Sequence, residues 1–506
     1  MSSPSLLYSA AQVRALDAYA IAHGTTGYTL MKRAGEAALR ALRSRWPTAM
    51  KVVVAAGSGN NGGDGYVLAR FAQAAGLSAT VLALTPPDRL QGDARSAHDD
   101  FKASGGQIQP FAADSLAKAE VIVDALLGTG LSNAVRAPFV AAIDAINASG
   151  RPVFALDLPS GMNADSGAAM GIAVRADCTI SFVALKTGLF LGDGPDLAGR
   201  LLFDDLEVSP PDEPRFRAVL ERMSEADIAA ALPSRQRAAN KGDFGRVLIV
   251  GGGAGMPGAV RLAGEACLRV GAGLVTVATA RENLPSIAAG RPELILLPVN
   301  GADDLQQPLE AATVVAIGPG LGRTAWARGL LDRVLASGKP LVIDADALNL
   351  LAERWLAAPR GSVLTPHPGE AARLLRQSTA AVQADRVSAL RQLCDRHPGA
   401  IVVLKGAGTL VGVLDASENA EDGTACDPIS ALCERGNPAM ATAGMGDVLT
   451  GAIAGILGQC QDPWRAARAG VMAHALAGDD IARDRQRGVL ALELAEAINR
   501  FVNLRR

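Results

Sequence analysis

The chain has 506 residues, of which 49% are apolar and 20% charged, and its net charge is −2 at pH 7. That length exceeds one ordinary domain, so two or three are expected. The near-neutral balance gives no electrostatic case for a nucleic-acid or membrane partner. No apolar run reaches the roughly 20 residues that cross a bilayer, and the N-terminal stretch lacks a basic segment followed by an apolar core. The six cysteines (Cys178, Cys267, Cys394, Cys426, Cys433 and Cys460) are scattered without a CxxC pair. This spacing argues against a zinc site or disulfide framework, and a reducing, cytoplasmic setting is expected.

Residues 9–45 read as two helices, with apolar side chains at helical spacing from Ala10 to Ala22 and from Leu30 to Leu42. Lys51–Ala56 is a short buried strand. It runs into a glycine-rich loop, Gly57–Gly65, followed by a helix from Tyr66 to Ala75. Strand, glycine loop and helix form the first unit of a Rossmann-like sheet, in which glycines let the backbone approach a ligand. The dinucleotide fingerprint does not fit: Asn60 and Asn61 stand in its middle, and the next strand, Ser78–Leu84, ends without an acid. Three further apolar strands end at Asp124, at Asp157 with Ser160, and at Lys186. With Asp64, these polar groups are expected to meet at the carboxyl edge of one parallel sheet, although any one Asp could be a cap or turn former.

Residues 209–217, SPPDEPRFR, are proline-rich, charged and aperiodic. They read as a linker, with domains at 1–215 and 216–506. The second half alternates again. Strands at 246–250, 273–278, 314–317, 340–344, 361–365 and 400–404 lead into glycine loops or into Asp344, Asp346, His367, Glu370 and Lys405. Two or more helices close the chain, at 464–484 and 489–502. This alternation predicts a doubly wound sheet, so the fold class is α/β with two three-layer domains. No GxxxxGK[ST] is present, which excludes a P-loop enzyme. His367, between two prolines, reads as a site residue, while Asp344 and Asp346 could form turns or support magnesium. The stretch Asn437–Gly451 (NPAMATAGMGDVLTG) puts two glycines at the start of a helix read from Asp447 onward. Such a turn is an anion site. The carboxylate of Asp447 inside it reads either as a helix cap or as a base beside a phosphoryl donor.

The strings GSGNNGGDG, VDALLGTG and ALDLPSGMNADSG, with the strand to Lys186, resemble the NAD(P)H-hydrate epimerase domain over about residues 8–208. That resemblance implies interconversion of the R and S forms of NADHX and NADPHX, in which water has added at C6 of the nicotinamide. It implies hydrate contacts from Asn60, Asn61, Gly62, Gly63, Asp64, Gly128, Thr129, Gly130, Leu131, Ser132, Asn133, Ala134 and Asp157. Potassium would sit on Asn61, Asp124 and Ser160, with Asp64 and Asp157 as acid and base. Water loss to an iminium and ring opening both remain as routes.

The strings KGDFGRVLIVGG, GPGLG, DADALN, TPHPGE, KGAGT and NPAMATAGMGDVLTG resemble the ADP-dependent NAD(P)H-hydrate dehydratase domain, a ribokinase-like fold, over about residues 222–503. Here the resemblance implies hydrate contacts at Ala259, Gly322, His367 and Asp447. ADP would be held by Lys405, Gly406, Ala407, Gly408, Thr409 and Gly446, with magnesium as the ion and Asp447 as the catalytic acid–base group. Ala439 and Ala443 stand where family members often have glycine, and residues 414–434 read as an inserted surface hairpin. A bifunctional repair enzyme acting on NADHX or NADPHX and ADP, in a homo-oligomer, is the leading expectation. The alternatives are a small-molecule kinase with a regulatory first half, and a first half that only senses nucleotides or binds protein.

Overall fold

The computed structural model describes residues 5–414 and 429–503 and divides into two compact units, Met1–Glu221 and Arg222–Arg506. The first unit contains strands β1 (Leu6–Tyr8), β2 (Lys51–Ala56), β3 (Ser78–Ala83), β4 (Gln107–Pro110), β5 (Val121–Ala125), β6 (Val153–Leu156), β7 (Cys178–Phe182), β8 (Leu185–Lys186) and β9 (Arg200–Asp204). Seven of them make a parallel sheet in the order β4-β3-β2-β5-β6-β7-β9.

Alternation along β2 assigns its two faces. Val52, Val54 and Ala56 join the core under the helices Gly27–Arg45 and Asn60–Ala74. Val53 and Ala55 join the opposite core, against the helix Phe139–Ala148. Helices on both faces of a parallel sheet give the expected three layers.

Two local expectations are corrected. The helix after β2 begins at Asn60, not Tyr66, so Gly62, Gly63 and Gly65 are helical. Glycine runs ordinarily mark loops, but here tertiary packing decides. A Cβ on Gly62 would overlap the carbonyl oxygen of Gly57, and one on Gly65 would sit 2.7 Å from the Ala125 Cβ. These glycines let the first helical turns press onto the sheet. The strand read as ending at Lys186 is also two pieces: Val183 has φ 63°, which ends β7 and turns β8 to pair with β1. The proline-rich segment stays with the first unit, where Phe216 is buried in its core.

In the second unit, β10 (Leu220–Arg222) straddles the unit boundary. It is followed by β11 (Arg246–Val250), β12 (Leu274–Thr279), β13 (Ile295–Pro298), β14 (Val314–Ile317), β15 (Leu341–Ile343), β16 (Val363–Leu364), β17 (Ile401–Leu404), β18 (Thr409–Val413) and β19 (Ile429–Cys433). The order β13-β12-β11-β14-β15-β16-β17 is parallel, and β18 and β19 continue it antiparallel. The helix Met445–Cys460 is buried almost all round. Gly451 and Gly455 lie so close to the backbone of the helix Pro257–Arg269 that a Cβ on either would overlap it. β18 and β19 pair as a hairpin, but most of the expected insertion, residues 415–428, lies outside the described residues. Among the described residues, no helix is long and apolar enough to cross a membrane.

Candidate active sites

At the carboxyl edge of the first sheet lies a cavity of about 550 Å³. Its wall includes Asn60, Asn61 and Asp64 from the helix after β2, residues 126–131 after β5, Asp157 after β6, and Lys186 at the end of β8. The N-terminal helix Ala10–Ala22 adds Val13, Arg14, Asp17 and Ile21. Asp157 is held at φ 62°, the left-handed region that costs a non-glycine residue about 1–3 kcal/mol. Its Oδ1 accepts from the Phe182 N–H at 3.1 Å and pairs with Lys186 Nζ. That ammonium is fully buried and also donates to Phe182 O (2.8 Å) and Ser181 Oγ (3.1 Å). Burial lifts the Asp64 carboxyl well above the usual carboxylate range, and the charges of Asp157 and Asp17 add to it. Burial also raises Asp17 to about 6, against the pull of Lys186.

Beside the cavity is a buried oxygen cluster. Ser160 donates its Oγ–H to Asp124 Oδ1 (2.6 Å) and its N–H to Asp124 Oδ2 (2.7 Å). Asn61 Nδ2 donates to Leu127 O at 2.9 Å, while Asn61 Oδ1 is buried without a protein partner. A buried amide oxygen left unpaired costs about 1–3 kcal/mol, so its presence asks for a cation or water. Hard oxygens with one carboxylate suit a hard cation.

The second unit gathers its charges around Lys405, at the end of β17. Lys405 Nζ lies 2.8 Å from Asp344 Oδ1 and 3.9 Å from Glu370 Oε2, and Thr450 Oγ1 donates to Asp344 Oδ2 at 2.6 Å. Burial works against the ammonium, but Asp344, Glu370 and Asp447 hold it charged, above the ordinary lysine value. Gly444, at φ 89°, takes the cap position of the helix Met445–Cys460, so Asp447 falls in its first turn rather than capping it. Burial raises the Asp447 carboxyl to about 7; Asp344 and Glu370 push the same way and Lys405 opposes them. Glu370 is also raised to about 7, first by burial. His367 caps the helix Pro368–Leu375 through Nδ1, which accepts from the N–H groups of Gly369 (3.0 Å) and Glu370 (3.3 Å). Burial and the Lys405 charge keep its imidazole below the ordinary value, hence neutral.

Residues 247–500 match the family model described as NAD(P)H-hydrate dehydratase, and residues 27–188 match the YjeF-related protein N-terminus. The chain is 47% identical over 503 residues to the bifunctional NAD(P)H-hydrate repair enzyme Nnr of Coxiella burnetii, covering 99% of this chain and 100% of that one. The chain belongs to that family. The enzyme of the same name from Escherichia coli is 43% identical over 481 residues, covering 95% of this chain and 90% of that one. A solved ribokinase-like superfamily protein from Enterococcus faecalis superposes with a TM-score of 0.50 at 30% identity, covering 56% of this chain and 95% of that one. This bifunctional repair enzyme therefore carries an epimerase-type domain and a ribokinase-like dehydratase domain.

The structure distributes the anticipated residues unevenly. Asn60, Asn61, Asp64, Gly128, Thr129, Gly130, Leu131 and Asp157 line the first cavity. Gly62 and Gly63 are buried within the helix, and Ser132, Asn133 and Ala134 continue over the exposed surface. In the second unit, Gly446 and Lys405 meet: a Cβ on Gly446 would be 3.2 Å from Lys405 Nζ. Gly322 donates its N–H to Asp346 Oδ2 at 2.8 Å, and Ala259 lies beside the Gly320 turn. The 405–409 loop is exposed at Gly406 and Ala407, and Thr409 Oγ1 donates to Gly406 O at 2.9 Å. Sequence reasoning missed Arg386. Its guanidinium, 4% exposed, donates through Nη2 to the carbonyls of Leu404, Lys405 and Gly408 from beneath that loop. Asp17 was also missed. Nothing in the spacing of the first helix distinguishes it from a solvated position.

Proposed function

We propose that the first unit epimerises the C6 hydrate of NADH and NADPH and that the second dehydrates the S form with ADP, giving reduced cofactor, AMP and phosphate. The observation that carries the second assignment is Asp447. It is a carboxylate with pKa near neutrality in the first turn of a helix, with Gly446 beside the Lys405 ammonium. Asp447 takes the proton of the C6 hydroxyl. The Gly444–Gly446 N–H groups and Lys405 stabilise charge on the phosphoryl passing from ADP to that oxygen. Phosphate then leaves as the ring nitrogen lone pair forms an iminium to C6, and loss of a proton from C5 returns the electrons to nitrogen and gives the C5–C6 double bond of the reduced cofactor.

In the first unit Asp64 and Asp157 are the acid–base pair of this reading. The unpaired Asn61 Oδ1, together with Asp124 and Ser160, supports a potassium site. Bound potassium supplies fixed positive charge at the loop that shapes the cavity. Among the described residues the second unit has no comparable built cage for magnesium. Asp344 is occupied by Lys405 and Thr450, and Asp346 by Gly322 N–H. Magnesium in this reading arrives on the nucleotide phosphates.

The free cysteines Cys178, Cys267, Cys394, Cys433 and Cys460 accord with a cytoplasmic setting. Exposed Met256, Leu490 and Leu492 accord with a homo-oligomer, which light scattering tests.

The decisive experiment follows reduced-nicotinamide absorbance after mixing the chain with both hydrates, ADP and magnesium. Full recovery, faster than spontaneous epimerisation, is expected. Recovery that halts at the S fraction removes the epimerase assignment. AMP formed on another alcohol without reduced cofactor indicates the plain kinase.

A further inference from the structure

The epimerase reading leaves a problem of parts. Inverting C6 needs a proton delivered to the departing hydroxyl and another removed from the water that returns. Asp157, one of the two acids assigned to this work, already uses Oδ1 for the Phe182 N–H and for a fully buried lysine. Its geometry is that of a carboxylate already engaged on two sides. Beside Asp64 and Asp157 the cavity wall holds Asp93 and Asp17, and Asp17, half-buried on the helix Ala10–Ala22, is in no direct ion pair among the described residues and carries a burial-raised carboxyl.

That helix is built into the cavity. Val13, Arg14, Asp17 and Ile21 face it along one stripe. Ser9 caps the helix through its side chain, and Ala10 N–H donates to Asp165 Oδ1 at 2.6 Å. Arg14 Nη1 donates to Thr129 O at 3.2 Å, which ties the helix to the loop after β5. Asp17 also lies outside residues 27–188, the part that matches the family model.

We infer that Asp17 is a catalytic residue of the first unit, the proton-exchanging partner of Asp64, while Asp157 and Lys186 form a fixed ion pair that orients the site. The inference rests on the epimerase reading of this cavity. Asp64, whose protonated form burial favours, gives its proton to the C6 hydroxyl oxygen. The C–O bond breaks with its electrons on oxygen, water leaves, and the ring nitrogen lone pair forms the iminium. Water then bonds to C6 from the other face and loses a proton to the Asp17 carboxylate, and the iminium electrons return to nitrogen. No atom is gained or lost. The proton now on Asp17 serves the reverse turnover or passes back to Asp64.

The charged groups that share the cavity with Asp17 are Arg14 on its own helix, Asp64, Asp93, Asp157 and Lys186. Burial places the Asp17 carboxyl at about 6, with Lys186 pulling it down and Asp157 pushing it up. As a base it must be ionised, so epimerisation falls as pH drops through about 6.

The test follows R-to-S conversion by chromatography in the full chain without ADP, where the second unit does no chemistry. Asp17→Asn is expected to lower kcat by about 100-fold or more, the usual share of a general base. The hydrate KM should stay within about twofold, and the residual rate should lose the acid limb near pH 6. Asp17→Glu, which keeps the carboxylate, should recover most of the rate with the limb retained. Dehydration of pure S hydrate with ADP and the thermal melt report folding. If Asp17→Asn keeps the rate and pH profile, or if both Asp17 variants lose activity equally, the inference is overturned. Asp64→Asn is run in parallel. Conversion surviving in that variant too would remove the epimerase reading itself, whereas survival in Asp17→Asn alone removes only the role of Asp17.

Discussion

Arg386→Met keeps a similar stem and removes the guanidinium under the 405–409 loop. Nη2 lies 3.1 Å from Leu404 O, 3.3 Å from Lys405 O and 3.2 Å from Gly408 O, and Nη1 lies 2.7 Å from Gln383 Oε1. Two Nη2 hydrogens serve three carbonyls, so about two charge-assisted bonds are lost there. At about 1.5–3 kcal/mol each, roughly 3–6 kcal/mol is at stake if the loop keeps its place. Burial of the cation opposes this. It lowers the Arg386 pKa from 12.5 to about 10, a desolvation cost of about 3 kcal/mol at 1.36 kcal/mol per unit. The net stabilisation is then only about 0–3 kcal/mol. The second unit should therefore melt no more than roughly 10 °C lower. The larger effect belongs to the loop. Its freed carbonyls turn to water, and ADP must reorder them, so KM for ADP should rise about 10- to 100-fold, or about 1.4–2.7 kcal/mol. KM for the S hydrate and the epimerase rate should stay put. Arg386→Lys, which keeps a charged donor, should fall between. Steady-state kinetics at saturating hydrate decide it. An unchanged KM for ADP, or equal rises for ADP and hydrate, would refute the reasoning.

Asp447→Asn should cut dehydration by about 10²–10⁴-fold and leave R-to-S conversion intact. Burial raises the proposed base Asp447 to about 7, so the dehydratase rate should decline as pH falls through 7; a flat profile from pH 6 to 8 would count against that role. Asp344→Asn removes the like charge that helps raise Asp447 and frees Lys405 to lower it further, so the same limb should move to lower pH. Ser160→Ala removes the 2.6 Å donor to Asp124 and the acceptor of Leu127 N–H. Potassium activation of epimerisation should weaken at least about tenfold, read as a titration against sodium, with about 1–3 kcal/mol lost in the melt.

Much of this was legible before the fold was known, because strands carrying polar groups at their ends are local patterns. Asp124, Asp157, Lys186, Asp344 and Lys405 all stand where a short apolar run stops. What was not legible depends on packing between distant segments. The run from Gly57 to Gly65 reads as a loop by propensity, yet Gly62 and Gly65 are helical at places where the Gly57 carbonyl and the sheet, respectively, leave no room for a Cβ. Val183 looks like one more strand residue, but its positive φ redirects Lys186 toward Asp157. Arg386 opens an ordinary helix, Arg386–Arg396, and nothing in its neighbours announces burial beneath a loop some 20 residues later. Asp17 presents the same difficulty, since a polar residue between apolar ones on a helix normally faces water.

The two units reach the same electrostatic solution with unrelated residues. In each, a lysine at a strand end pairs with a carboxylate: Lys186 with Asp157, and Lys405 with Asp344. In each, a separate buried carboxylate stands near that pair and is raised first by its own burial and then by the paired acid: Asp64 by Asp157, and Asp447 by Asp344. The pairing explains why the second acid can titrate usefully. The paired carboxylate stands close to the second acid and carries a lysine beside it. Its neighbour is raised above the ordinary carboxylate range, to about 7 for Asp447, which suits a group proposed to exchange a proton with the C6 hydroxyl. The lysine limits the rise by attraction. A site without it would leave two buried like charges, and the working acid would be locked in its protonated form.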